Sequence, residues 1–172
     1  MVVYADMTSR SKKEIFLKYI ELKEHIHQKI RDFVNANNLN SKSIGIHIRA
    51  TDNQPLQPLS KLVTHLKNNY DSSYTILIAT DNFEVEKFFK MEFEKVIVYE
   101  KFLPKVNLGG VHHYAKLNKD WSNAELVLEQ SIIDMWLLSK CEYLYYLGNS
   151  SFSIISSYLH DNKEKQFNWN NI

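Results

Sequence analysis

IGIHIRATD, residues 44–52, begins as a β-branched run interrupted only by Gly45 and His47 and ends in charge and hydroxyls. A short apolar run of this kind, set between the polar stretch 35–43 and a loop punctuated by Pro55 and Pro58, marks a strand buried on both faces, as in parallel sheets. Upstream, Lys12–Asn35 carries Ile15, Leu17, Tyr19, Leu22, Ile26, Ile30, Phe33 and Val34 at mostly helical spacings, which predicts one long amphipathic helix. Downstream, Leu59–Tyr70 reads as a helix and Tyr74–Ala79 as a strand. Asp81, with Glu84 three residues on, has the form of an N-cap for a helix over Val85–Phe93, and Val96–Tyr99 is a third strand.

Glu100–Trp121 has no clear period and holds Gly109-Gly110 and His112-His113, so it reads as a long loop. Ser122 and Glu125 form a capping box that opens a helix to about residue 139. A strand over Glu142–Leu147 and a helix over Ser150–His160 follow. Strand and helix alternate, which implies parallel strands joined by right-handed helical crossovers. The fold class is therefore α/β, a Rossmann-like parallel sheet of about four strands flanked by helices. Residues 1–11 read as an N-terminal linker and 12–172 as one domain.

Composition agrees. A chain of 172 residues buries roughly two-thirds of its unfolded surface. With 44% hydrophobic residues, 4 Gly and 3 Pro, it is neither disordered nor fibrous. The 21 basic and 20 acidic residues leave a net charge of +1 and form no dense basic block, which argues against nucleic acid as the main partner. The single cysteine, Cys141, excludes an internal disulfide and a multi-thiolate metal site. Neither a membrane-length apolar run nor a secretory leader is present in these residues, so the expected compartment is the cytoplasm.

Ligands of open α/β sheets sit at the carboxyl ends of the strands, which here selects His47–Asp52, Thr80–Asn82 and Gly148–Ser153 as one neighbourhood. His47 and Arg49 alternate onto the same side of their strand with Asp52 just beyond, a basic pair suited to an anion. The structural alternative pairs Arg49 with Asp52 or Asp81 and leaves His47 as a bonded core residue. Asn149, Ser150, Ser151 and Ser153 open the last helix, whose N-terminus suits phosphate or is simply capped by Asn149 or Ser150. Asp134 lies on a mostly apolar helix face and needs a partner. That partner is either a lysine or backbone group, or a ligand such as guanine, whose N1–H and N2–H₂ are adjacent donors. Tyr143, Tyr145 and Tyr146 read as core.

IGIHIRATD, then ILIATDN at 76–82, then LVLEQSIIDMWLLSKCEYLYYLGNSSFSIISSYL at 126–159, resemble in order and spacing the three motifs of the α-1,6-fucosyltransferase superfamily. That group includes core and rhizobial nodulation fucosyltransferases and the more distant α-1,2- and protein O-fucosyltransferases. The resemblance covers about residues 12–160. It implies the C-terminal, GDP-fucose-binding half of a GT-B glycosyltransferase that inverts configuration at the fucose anomeric carbon and needs no metal or other cofactor. It further implies that Arg49 contacts the donor β-phosphate as the catalytic residue, that His47 lies near the nucleotide, that Asp134 meets guanine, and that Ser150 and Ser151 reach the phosphates. Asp52, Asp81 and Ser153 complete the expected substrate-binding set.

Two departures stand out. The family often has two consecutive arginines in its first motif, and here Ala50 follows Arg49. The N-terminal domain that helps form the acceptor cleft has no counterpart, because Met1–Ser11 is too short to replace it. A glycan acceptor, and either a separate acceptor domain or a second copy of the chain, are the expected partners. A GDP-binding regulatory or interaction module without turnover is the competing reading. A metal-dependent phosphoesterase built on His47, Asp52, Asp81 and His112-His113 ranks below both, since their spacing is unlike compact metal sites.

Overall fold

The computed structural model describes residues 9–39, 41–51, 55–103 and 122–172. Five parallel strands form one sheet: β1 (Ser43–Ile48), β2 (Thr75–Thr80), β3 (Val96–Ile97), β4 (Tyr143–Tyr146) and β5 (Gln166–Asn168). Their order across the sheet is β3-β2-β1-β4-β5. The helices are α1 (Ser9–Tyr19), α2 (Glu24–Asn37), α3 (Leu59–Asn69), α4 (Phe83–Glu92), α5 (Ser122–Lys140) and α6 (Ser151–Leu159). The α/β class and the parallel sheet expected from the sequence are therefore present, with a fifth strand beyond the four anticipated. No helix among the described residues is long and apolar enough to cross a membrane.

All six residues of β1 are buried, as its β-branched run requires of a central strand with neighbours on both edges. Ile44, Ile46 and Ile48 face one side, where Leu62 and Leu66 of α3, Val85 and Phe89 of α4, and Trp169 complete a core layer. Leu77, Ala79 and Leu144 face the other, against Ile26, Ile30 and Val34 of α2 and Ile133, Leu137 and Leu138 of α5. Each fully buried aliphatic side chain contributes about 1.5–3 kcal/mol. Gly45 permits the close approach of α5 to β1, since a Cβ there would lie 3.0 Å from Cys141 Sγ. Burial holds that thiol in its protonated form, pushed up to about 12.

Two local expectations are corrected. The single helix expected over Lys12–Asn35 is two, separated at Ile20–Lys23, with Lys23 extended at φ −61°, ψ 145° as the N-cap of α2. The reason is tertiary. Phe16 of α1 packs on Trp136, and the Lys12 ammonium lies 5.2 Å from the ring centre of Tyr158 in α6, whereas α2 lies along α5 and buries Ile26, Ile30 and Val34. One straight helix cannot follow both directions. The helix start at Ser9 also places residues 9–11 in α1, inside the stretch read as a linker.

The second correction concerns α4. Its N-cap is Asn82, whose Oδ1 accepts the Glu84 amide at 2.8 Å, rather than Asp81.

Candidate functional site

Strand order reverses at β1: the chain builds β2 and β3 on one side of it, then returns to lay β4 and β5 on the other. The crevice between the carboxyl ends of β1 and β4 is the topological switch point, where ligands of such sheets bind. Arg49 leaves the end of β1 and Asp81 the end of β2, with Arg49 Nε 4.0 Å from Asp81 Oδ2. Asp81 also accepts the Ala50 amide at 2.8 Å and the Thr51 hydroxyl. A carboxylate that accepts two donors and pairs with a guanidinium, all from consecutive residues, fixes the course of the loop after β1 and holds Arg49 at the sheet edge. Asp81 is thereby a positioning group as well as the ion-pair partner of the structural alternative.

His47 lies deeper. Its ring is buried, stacks on Phe152 at 4.7 Å between centroids, and places Nδ1 2.5 Å from Ser153 Oγ. Ser153 Oγ accepts the Leu147 amide at 3.0 Å and makes its second hydrogen bond with Nδ1, which fixes the orientation of the ring. Burial, with the charges of Lys101 and Arg49, pushes the imidazole down to about 3. This corrects the expected basic pair: His47 is neutral near pH 7, and the positive charge at this edge rests with Arg49. Ser153 is wholly buried, and its hydroxyl bonds both the Leu147 amide and the His47 ring, so it orients His47.

The depressed imidazole carries a pH prediction. Between pH 6.5 and 3 the unfolded chain binds a proton at His47 that the folded chain refuses, so this stability is complete above 6.5 and is lost as pH falls, by about 1.4 kcal/mol per unit. Burial depresses His65 and His160 in the same sense. Denaturant midpoints measured from pH 7.5 to 4 should fall less steeply in His47→Asn than in the parent. Parallel profiles would contradict the buried neutral ring.

The α6 N-terminus follows β4, the neighbour of β1, and so opens at the same carboxyl edge of the sheet as Arg49. Ser150 is its N-cap but makes no side-chain cap bond, and Ser151 is exposed at its first position. The first-turn amides and the helix dipole thus favour an anion at the same edge as Arg49.

A segment that carried no signal in the sequence braces this arrangement. Trp169 Nε1 donates to the His47 carbonyl at 3.1 Å, Asn168 Oδ1 accepts the Gly148 amide at 3.2 Å, and Asn170 reaches the Leu56 amide and the Asn149 side chain. One short stretch therefore ties the loop after β1 to the turn before α6. Asparagines that cap short turns flank a buried tryptophan, a composition without period that reveals nothing until the fold is known.

Asp134 lies on α5, buried, with Oδ2 2.5 Å from Lys101 Nζ, itself nearly buried, and with Oδ1 lacking a partner. Burial raises its carboxyl while the Lys101 ammonium pulls the other way. The lysine partner considered from sequence is thus present, and half of the carboxylate is still free to accept. Lys101, thirty-three residues away, was not foreseen. Asp52 and His112-His113 lie outside the described residues. Among the described residues no group of three His, Cys, Asp or Glu is placed to hold a metal.

Neither a protein-family model nor a curated protein sequence matches the chain. Its fold does match solved structures of NodZ α-1,6-fucosyltransferase. The one soaked with GDP-fucose superposes with a TM-score of 0.60 at 19% identity, over 89% of this chain and 47% of that one. The one co-crystallised with GDP gives 0.57 at 18% identity, over 87% and 46%. The selenomethionine protein from Bradyrhizobium gives 0.57 at 18%, over the same shares.

The chain shares its fold with about half of that enzyme. The fold implied by the three sequence motifs is therefore the observed one. NodZ and this chain have in common the parallel sheet and its flanking helices, and at 17–19% identity the likeness is one of fold.

Proposed function

We propose that the chain is the donor-binding half of a fucosyltransferase-like enzyme, which binds GDP-fucose and transfers fucose to a glycan hydroxyl with inversion and without a metal. The observation that supports this reading is that Arg49, at the end of β1, and the α6 N-terminus, after the neighbouring β4, lie at one carboxyl edge of the sheet, in a fold shared with a GDP-fucose-soaked fucosyltransferase. As the bond from fucose C1 to the diphosphate oxygen breaks, negative charge grows on the β-phosphate. Arg49 and the first-turn amides of α6, with Ser150 and Ser151, stabilise that charge more than they stabilise the ground state. A permanently charged guanidinium fork supplies this role without a metal. Asp81 holds the loop that carries Arg49, His47 lies near the nucleotide, and Asp134 meets the guanine base. Asp52 stays in the expected donor contacts, and the base that takes the acceptor proton is left unassigned.

A second reading, a GDP-binding module without turnover, is favoured by one observation: Ala50 stands where the family often has a second arginine. Release of GDP from GDP-fucose in EDTA, with and without oligosaccharide acceptors, separates the two. Acceptor-dependent release supports the transferase. Saturable GDP-fucose binding with no release under any acceptor selects the module.

A further inference from the structure

Glu86 belongs to none of the motifs, yet it is 93% buried (7% exposed), and its Oε1 has no hydrogen-bond partner. It lines a cavity of about 590 Å³ between α4 and residues 98–103, with Phe83, Tyr99, Lys101 and Leu103 also in the wall. The cavity sits where the chain leaves β2 and β3, at the carboxyl edge that also holds Asp81 and Arg49. Lys101 gives a hydrogen to Asp134 and none to Glu86, so two buried carboxylates share one ammonium and each keeps an oxygen without a donor. Burial raises the Glu86 carboxyl, Lys101 and Lys90 oppose this, and the charge of Asp134 adds to it, which places the four groups within electrostatic reach of one another. Phe83, a large apolar ring in the same wall, stays more than half exposed.

Such a cavity sets an unpaired carboxylate oxygen beside an uncovered aromatic ring, so its ligand is planar and brings N–H groups of its own. We propose that Glu86 is a specificity-determining residue of the nucleotide site, accepting the exocyclic 2-amino group of guanine in this cavity while a free N–H of Lys101 donates to O6. This rests on the nucleotide reading above. Adenine fails on both counts, since it has no 2-amino group and presents a donor where guanine has O6. Hypoxanthine retains O6 and N1–H and lacks only the amine, which makes it the discriminating probe.

Calorimetric titration of the whole chain with GDP, IDP and ADP tests the assignment, on the parent and on Glu86→Gln and Glu86→Leu. The parent should prefer GDP to IDP by about tenfold, as suits one charge-assisted hydrogen bond. In both variants GDP affinity should fall to near that of IDP, while IDP affinity changes by less than about twofold. Glu86→Gln removes a buried unpaired charge at constant shape, so its ligand-free denaturation midpoint should be no lower than the parent's. If GDP binds and its advantage over IDP survives in both variants, the Glu86 assignment falls and the nucleotide reading stands. If the parent binds none of the three nucleotides, both fall.

Discussion

Arg49→Ala is expected to lower GDP affinity by about 10–100-fold, the value of a charge-assisted contact to phosphate, while leaving the fold intact. The guanidinium is partly exposed, and Asp81 keeps the Ala50 amide and the Thr51 hydroxyl when the arginine is gone. The loop after β1 therefore retains its anchor. Turnover should suffer more than binding, by a further factor of about 10²–10³, because the charge on the β-phosphate is largest as the glycosidic bond breaks. Arg49→Lys keeps the charge and loses the planar fork, so it should recover part of the affinity and little of the rate. Titration with GDP and GDP-release kinetics on the three proteins measure these effects. Equal affinity in parent and Arg49→Ala would remove Arg49 from the donor site.

Trp169→Ala is expected to cost about 3–5 kcal/mol, the range for truncating a buried aromatic, in a domain whose whole stability is about 5–15 kcal/mol. Trp169 is 1% exposed and fills the layer formed by Ile44, Ile46, Ile48 and Leu62. Its indole N–H is also the donor to the His47 carbonyl, so truncation opens a cavity and leaves a buried acceptor unpaired. Trp169→Phe keeps most of the volume and loses the donor, and should cost about 1–3 kcal/mol. Urea midpoints at constant m-value measure both. A loss below about 1 kcal/mol for the alanine variant would mean that the 166–172 segment does not brace the sheet edge.

These residues also show how far the sequence could be read. β1 was legible because burial on both faces leaves a β-branched run broken only by Gly45 and His47, and the strands and helices that follow alternate along the chain. β5 was not, since Gln-Phe-Asn is too short to show any period and gains its place only by pairing with β4. The break between α1 and α2 was hidden because Leu22 continues the apolar spacing across it; only packing against α6 and α5 separates the two helices.

Arg49, Asp81 and Ser150 could be placed at one sheet edge from sequence because the strand-end rule needs topology alone. The Asp81 role was half right. Its side chain turns back to the loop after β1, a contact thirty residues away, and leaves the cap to Asn82. Lys101 and Glu86 gave no signal, since a lysine after a strand and a Glu86–Lys90 spacing on a helix both look like solvated surface. Their burial follows from residues 98–103 passing between α4 and α5, where Phe102 bonds Gln130 and Lys101 bonds Asp134.

The most direct test is titration of the purified chain with GDP, ADP and UDP in EDTA, repeated on Asp134→Asn. The account predicts saturable, metal-independent binding with GDP preferred over both other nucleotides, and a weaker preference for GDP in the variant. Absence of binding by all three, or equal affinity for GDP and ADP, would contradict it and leave the likeness to NodZ as one of fold alone.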